Sequence, residues 1–264
     1  MLRKVTCIAA LLLMAACSSG SVGEDSSKEK PDVKTSEVEA YEQNDTTLSG
    51  EQNNQDFVNK VEGKDLASAL RDGGYVIYIR HAKTTKDWGD QVSPELNLLD
   101  CTTQRRLSDE GKADAKRIGE GIKAAGIPVG EVISSDYCRA YNTAELAFGT
   151  YTKNSNLNFL PCVECTPEDY KEYAKRVAPL MSVKPEVGEN TFLVGHDDPF
   201  QGVTMPIVPI NGIYPAPMGV AYVAKPLGDG GFELVSKILP NQWLLFCLLK
   251  MHLLLEFHYL FLIL

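Results

Sequence analysis

The chain has 264 residues, of which 44% are apolar and 23% charged, a balance compatible with one folded domain plus additional segments. Its formal charge of −9 is unevenly spread: residues 18–56 hold ten acidic residues against three lysines, a net of −7, so the remainder is close to neutral. No long basic stripe is present, which argues against nucleic acid as a partner.

Residues 1–17 read as an export signal and not as part of a fold. Arg3 and Lys4 are basic, Val5 to Met14 are mostly apolar, and small residues precede Cys17. Met14-Ala-Ala-Cys17 resembles a bacterial lipoprotein cleavage box, and the Ser-Ser-Gly that follows favours lipid attachment at Cys17 over an ordinary secretory signal. Buried acyl methylenes contribute on the order of 0.8 kcal/mol each, so several chains anchor firmly. The expected location is therefore the bacterial cell envelope, with the chain exported and membrane-anchored. Residues 18–56 are polar and nearly free of large apolar side chains, which predicts a disordered tether.

From Phe57 to Arg71 the apolar residues recur at helical spacing, and Gly73-Gly74 ends the pattern. Tyr75-Val-Ile-Tyr-Ile79 is apolar at every position, as suits a central parallel strand. Residues 82–106 show no period and are expected to form a long loop. Ser108 is positioned to cap a helix whose buried stripe is Ala113, Ala115, Ile118 and Ile122. A strand is expected at 132–134, a helix at 137–148 and a strand at 157–160. Thr166 and Pro167 open a helix that runs to Met181. A strand at 192–194 and a short segment at 199–208 follow. Strands at 219–224 and 232–238 are joined by a Gly228-Asp-Gly-Gly231 hairpin turn. The alternation predicts an α/β fold over 57–242, a three-layer α/β/α sandwich with a mostly parallel central sheet.

Residues 243–264 form a hydrophobic tail that includes Lys250, His252, Glu256 and His258. It is long enough to cross a bilayer as a helix, although a central lysine costs roughly 2.5–3.5 kcal/mol there. A membrane-surface segment and a stretch foreign to the domain are the other readings.

Three apolar runs deliver chemistry at their ends. Tyr75–Ile79 leads into Arg80-His81, Thr191–Gly195 into His196-Asp197, and Glu131–Ile133 into Ser134-Ser-Asp-Tyr-Cys-Arg139. In open parallel sheets ligands bind beyond the carboxyl ends of the strands. Two histidines and two arginines gathered there suit one phosphate, because guanidinium is always charged and binds two oxygens at once.

The set Arg80-His81-Ala82, Arg139 and Gly195-His196 resembles the histidine phosphatase superfamily, the phosphoglycerate mutase-like fold, over about residues 56–243. Asp100-Cys-Thr-Thr-Gln-Arg105 and Leu107-Ser-Asp-Glu-Gly111 bring it nearest to small bacterial members. Ala82 departs from the glycine that many members carry. The resemblance implies that His81 is the nucleophile through a phosphohistidine, that Arg80 and Arg139 bind the phosphate, and that His196 adds positive charge. For the general acid, Glu164 stands where many relatives carry one, and Asp197 completes a His-Asp pair like that of the phytase branch. Asp197 is preferred, because its neighbour His196 fixes it near the phosphate. Asp198 reads as a helix cap. Lys83, Lys86, Arg105 and Arg106 lie close in sequence and are candidates for attracting an anion.

No metal and no cofactor are expected. Two histidines without a third ligand at metal spacing argue weakly against zinc. Cys101 and Cys138 flank the two phosphate-site segments, and export permits a disulfide between them, with Cys162–Cys165 as a second pair. The expected activity is that of a metal-independent phosphomonoesterase acting on a small phosphorylated substrate, of which a sugar phosphate is one candidate. Only 56 residues separate Arg139 from His196, too few for a large substrate cap. The alternative is a phosphate-binding lipoprotein without turnover.

Overall fold

The computed structural model describes residues 46–86, 90, 95–160, 162, 165–208 and 211–246, all within the unit Asn44–Leu264. The elements in chain order are α1 (Thr46–Gln55), α2 (Gly63–Asp72), β1 (Val76–Arg80), α3 (Asp109–Ala125), β2 (Val129–Ser134), α4 (Cys138–Phe148), β3 (Thr152–Lys153), α5 (Pro167–Ser182), β4 (Asn190–Gly195), α6 (Asp197–Thr204), β5 (Ala221–Pro226) and β6 (Phe232–Ile238). One sheet runs in the order β3-β2-β4-β1-β5-β6. Its β3, β2, β4 and β1 pair in parallel, and β5 and β6 add an antiparallel edge.

The layers follow from the two-residue period of a strand, which sends successive side chains to opposite faces. On one face Ile77 and Ile79 of β1 join Phe192 and Val194 of β4 beneath Leu66 and Leu70 of α2, Ile118 and Ile122 of α3, and Ala140 and Ala144 of α4. On the other face Val76, Tyr78 and Leu193 meet Val177 and Met181 of α5 and Phe200 and Val203 of α6. Both faces are covered, which is why Val76–Ile79 of β1 and Phe192–Val194 of β4 are apolar without alternation. The expected three-layer α/β/α sandwich is the observed architecture.

Helix ends also match their sequence signals. Ser108 Oγ accepts from Gly111 N and Gly126 closes α3 with a φ of 71°. Thr166 and Asp169 form a reciprocal capping box at α5.

Four expectations are corrected. The strand expected at 157–160 is absent. Residues Ser155–Leu157 form a 3-10 turn, and the sheet edge is instead Thr152–Lys153, two exposed residues without an apolar pattern. The expected helix at 57–71 is shorter and begins at Gly63.

The tether expected over 18–56 ends earlier, because its last residues form α1. Polar side chains hold this helix where apolar ones are lacking: Asn53 Nδ2 donates to Gly212 O at 2.7 Å, and Asn54 Nδ2 donates to Ala216 O at 3.0 Å. Asn54 Oδ1 accepts from Tyr222 OH at 2.5 Å.

Last, the domain does not stop at 242. Trp243 is fully buried and Phe246 nearly so, both within the α2/α3 core. A Cβ placed at Gly121 of α3 would lie 2.7 Å from Trp243 Cβ and from its carbonyl carbon, so the chain at Trp243 occupies space that only glycine leaves open. Cys17, where lipid attachment is expected, and residues 247–264 lie outside the described residues, and among the described residues no helix is long and apolar enough to cross a membrane.

Trp243→Ala should therefore cost ~3–5 kcal/mol, the range for emptying a large aromatic site in a core. Denaturant unfolding of the full chain measures this. A loss under about 1 kcal/mol would return Trp243 to the tail.

Candidate active site

Three adjacent parallel strands, β2, β4 and β1, end on the same side of the sheet and present the expected side chains together. Arg80 closes β1 opposite Gly195 of β4, and His81 N donates to Gly195 O at 2.9 Å. His196 follows directly. Its main chain is held from both sides by Tyr78, whose hydroxyl donates to His196 O at 2.8 Å and accepts from His196 N at 2.9 Å. This explains Gly195, since a Cβ there would sit 2.2 Å from the Tyr78 oxygen. Arg139 lies in the first turn of α4. Thr143 Oγ1 donates to Arg139 O at 2.7 Å and accepts from Ala82 N at 3.0 Å, tying α4 to the end of β1.

The two imidazoles are fully buried, with ring centroids 5.4 Å apart. His81 Nδ1 lies 2.9 Å from Ala82 O. A carbonyl only accepts, so Nδ1 carries the proton and Nε2 is left as a bare lone pair. Arg105 Nη2 approaches that Nε2 at 3.4 Å. His196 Nε2 lies 2.8 Å from Ser135 Oγ. Ser135 donates its own proton to Asn158 Oδ1 at 2.8 Å, so it accepts from His196 and the Nε2–H tautomer follows. Burial, then the guanidinium of Arg139 and further positive neighbours, holds both histidines well below their usual value. Each is therefore neutral at physiological pH.

The arginines are held at their edges. Arg80 Nη1 donates to Pro215 O at 2.7 Å and Nη2 to Asp197 Oδ2 at 2.5 Å, with the Tyr214 ring 5.1 Å away. Tyr214 OH donates to the same Asp197 oxygen at 2.9 Å. The segment carrying Tyr214 and Pro215 is braced by α1, because Tyr214 N donates to Gly50 O at 3.0 Å. Arg139 is 2% exposed and stacks on Tyr137 and Phe159 at 4.7 and 5.3 Å. Its Nη1 donates to Asp90 at 2.9 Å.

Among the described residues, Arg80 Nε, Arg139 Nε and His196 Nδ1 are buried and have no hydrogen-bond partner. The two guanidinium donors beside a neutral imidazole form a cradle for an anion, which His196 Nδ1 can join only when protonated, since buried polar groups ordinarily find partners.

Asp197 reaches the site, but in a state unlike that of a free acid. Burial pushes its carboxyl up, while the Arg80 charge and the Tyr214 hydrogen bond outweigh that and bring it down to about 2. Asp198 behaves oppositely. Burial and the neighbouring Asp197 raise it to about 7, and no side-chain cap bond forms at the start of α6. Glu164 lies outside the described residues.

Of the four nearby cations considered, Arg105 joins the cluster. Lys83 pairs with Glu110 at 2.7 Å on the surface, and Arg106 lines a groove of about 740 Å³ with Ser108, Lys112 and Glu145. Sequence reasoning missed Asp90, Ser135, Asn158 and Tyr214. Only Ser135 had a signal, its place directly after β2. Among the described residues no group of His, Cys, Asp and Glu is arranged to hold a metal ion.

Cys101 and Cys138 are disulfide-bonded, with an S–S distance of 2.07 Å. Cys138 N also donates to Gln104 Oε1 at 2.8 Å. The bridge closes a loop over a separation of 37 residues, worth on the order of 3–4 kcal/mol by chain entropy. It joins the segment bearing Arg105 to the turn bearing Arg139. Cys162–Cys165 forms the second pair.

Residues 76–158 match the family described as the histidine phosphatase superfamily, branch 1. That span holds Arg80, His81, Arg105 and Arg139. Over that span the chain is similar to the histidine phosphatase superfamily. No curated protein matches.

Among solved structures, a phosphoserine phosphatase mutant from Entamoeba histolytica in complex with phosphoserine is 14% identical, covering 63% of this chain and 98% of that one, with a TM-score of 0.46. The protein histidine phosphatase SixA complexed with tungstate is 16% identical, covering 64% and 98%, with a TM-score of 0.41. A mycobacterial glucosyl-3-phosphoglycerate phosphatase is 17% identical, covering 61% and 97%, with a TM-score of 0.44.

Asp198 makes this site's stability depend on pH. Folded Asp198 keeps its proton up to about pH 7, whereas an unfolded aspartate releases it near pH 3.9. Between these limits the folded state holds the extra proton, so rising pH lowers stability. Asp198→Asn removes that loss. Its melting temperature relative to wild type should climb from about pH 4 to pH 7 and then level off. A difference that stays constant with pH in calorimetry would contradict the burial of this carboxyl.

Proposed function

We propose that the protein is a metal-independent phosphomonoesterase that acts through a phosphohistidine at His81 on a small phosphorylated substrate, with a sugar phosphate as one fitting class. The observation that carries this reading is the fixed tautomer of His81, whose Nε2 lone pair faces a buried guanidinium.

In the first step the Nε2 lone pair attacks phosphorus, the ester P–O bond breaks, and the leaving oxygen takes a proton from an acid. In the second, water breaks the N–P bond and gives its proton back to the resulting carboxylate. Covalent catalysis of this kind divides one hard step into two easier ones. Arg80, Arg105 and Arg139 supply positive charge to the phosphoryl oxygens, and such stabilisation is usually the largest catalytic contribution.

The charges also assign a role to His196. Three guanidiniums against Asp90 and Asp197 leave the cluster one positive charge in excess while both histidines are neutral. A bound dianion reverses that to one negative. Protonation of His196 at Nδ1 restores neutrality and directs a donor at the phosphate.

His81→Ala should abolish turnover and leave the fold intact by circular dichroism. Brief exposure of wild type to labelled substrate should leave acid-labile, base-stable label on His81. Full activity in His81→Ala would falsify the mechanism.

Asp197 is the proposed acid and Glu164 the other candidate. General acids contribute ~10²–10⁴-fold, and mainly for poor leaving groups. Asp197→Asn should therefore slow phenyl or alkyl phosphates far more than p-nitrophenyl phosphate. If Glu164→Gln gives that selective loss and Asp197→Asn does not, the role belongs to Glu164.

A second reading has one observation behind it. Asp197 is deprotonated and bound to Arg80, as suits a phosphate-binding lipoprotein that does not turn over. Release of orthophosphate from a panel of monoesters separates the two.

The proposal includes export and anchoring in the bacterial cell envelope through lipid on Cys17. The two disulfides support export, because such bonds persist in oxidising compartments.

A further inference from the structure

The loop between β1 and α3 contributes an acidic residue to the cationic cluster. Asp90 Oδ1 accepts from Arg139 Nη1 at 2.9 Å and from the main-chain N of Arg105 at 2.8 Å, and Oδ2 lies 3.2 Å from the same Nη1. Its side chain is 15% exposed, beside a guanidinium that is 2% exposed. One carboxylate thus touches both segments that bring Arg105 and Arg139 to His81.

The contact is one-edged. Asp90 takes Nη1 of Arg139, while Nε of the same guanidinium is buried and has no partner among the described residues. Tyr137 and Phe159 meet the guanidinium at 4.7 and 5.3 Å. Arg80 repeats the arrangement: Asp197 and Pro215 O hold its Nη atoms, and its Nε is likewise buried without a partner. Each clamp arginine therefore has one carboxylate holder and one vacant donor.

Within the phosphatase reading above, we infer that Asp90 is a positioning residue. It holds Arg139 by Nη1 so that the remaining edge of the guanidinium is kept for phosphate, and it registers Arg105 against Arg139 through the Arg105 amide. Two other roles would fit an acid at this place. It could occupy the phosphate's own seat and compete with substrate, or it could donate the proton to the leaving group. The retained vacant Nε argues against the first. The second is separated by leaving-group dependence, since a proton donor acts selectively on the poorer leaving group.

The test uses the full chain with Asp90→Ala and Asp90→Asn. Steady-state rates are measured on p-nitrophenyl and phenyl phosphate, the inhibition constant is measured for inorganic phosphate, and folding is checked by melting temperature. Partners that orient metal ligands are typically worth ~10–100-fold in affinity or activity, and a similar size is expected here. Asp90→Ala should raise KM and the phosphate inhibition constant by on the order of tenfold or more, equally for both esters. Asp90→Asn keeps two acceptor lone pairs on one oxygen and should recover part of the loss.

Tighter phosphate binding in either variant would show that Asp90 competes for the seat and overturn the inference. A loss confined to phenyl phosphate would make Asp90 the proton donor and overturn it as well, as would unchanged constants. If Asp90→Ala melts below the assay temperature, Asp90→Asn alone decides by the same readouts. Wild-type protein that neither turns over these esters nor binds phosphate would instead sink the phosphatase reading itself.

Discussion

Three guanidiniums buried around one imidazole are the constraint on which the rest of the site depends. Two like charges 4 Å apart repel by about 4 kcal/mol at the effective dielectric of a protein surface, and by more deeper inside. The cluster is tolerable because carboxylates offset two of the charges: Asp197 meets Arg80 and Asp90 meets Arg139. Aromatic faces at Tyr214, Tyr137 and Phe159 cover the guanidiniums further. What repulsion remains falls on the histidines. Burial and Arg139 deny them a proton, and a histidine denied its second proton is a nucleophile. The same charges that would bind phosphate thus also activate the atom that would attack it.

Holding such a cluster requires a frame that does not relax. Strand pairing between β1 and β4 sets His81 against Gly195, and the Tyr78 hydroxyl grips both sides of the His196 peptide. The loop after β1 lacks this support, so it is fastened by other means: the Cys101–Cys138 bridge, the Gln104 amide on Cys138 N, and Asp90. Each fastening joins that loop to the start of α4. The opposite wall, Tyr214 and Pro215, leans on α1. Residues that read as tether thus buttress the partner of Arg80.

What was legible in the sequence follows the same division. β1 and β4 are continuous apolar runs because both faces of the sheet are covered, and a run that stops at Arg80-His81 or His196 announces a strand end carrying charge. Arg139 was legible from its place after β2. Arg105 stood among four cations with no periodicity to distinguish it, and burial alone separates it from Lys83. Asp90 had no signal, because its role depends on a fold-back of a long loop. The edge strand Thr152–Lys153 is two polar residues long, so no hydrophobic alternation exists to be read. α1 was hidden by its composition, since asparagine bonds to backbone replace an apolar stripe. At the other end a boundary drawn before Trp243 failed because the last core residues run straight into a hydrophobic tail without a break in pattern.

A carboxyl near 2 can serve as an acid only if the bound substrate raises it. Asp197 is acidic because its Oδ2 accepts from Arg80 and from Tyr214. Burial works the other way and favours the protonated form. The Arg80 charge, first among the positive neighbours, and the Tyr214 hydrogen bond keep that tendency in check. A phosphate dianion placed on the free Nε edge of Arg80 neutralises the charge that depresses Asp197. It also adds negative charge beside the carboxylate. Both effects raise the proton affinity of Asp197, and a like-charged neighbour alone is enough to move a buried carboxyl by several pK units. Asp198 shows burial and a like charge acting together: burial first, then Asp197 beside it, raise that carboxyl to about 7. Without a bound anion Asp197 therefore stays ionised as a partner for Arg80, and on the proposed reaction a bound phosphate ester would itself supply the shift that lets Asp197 carry a proton to the leaving oxygen.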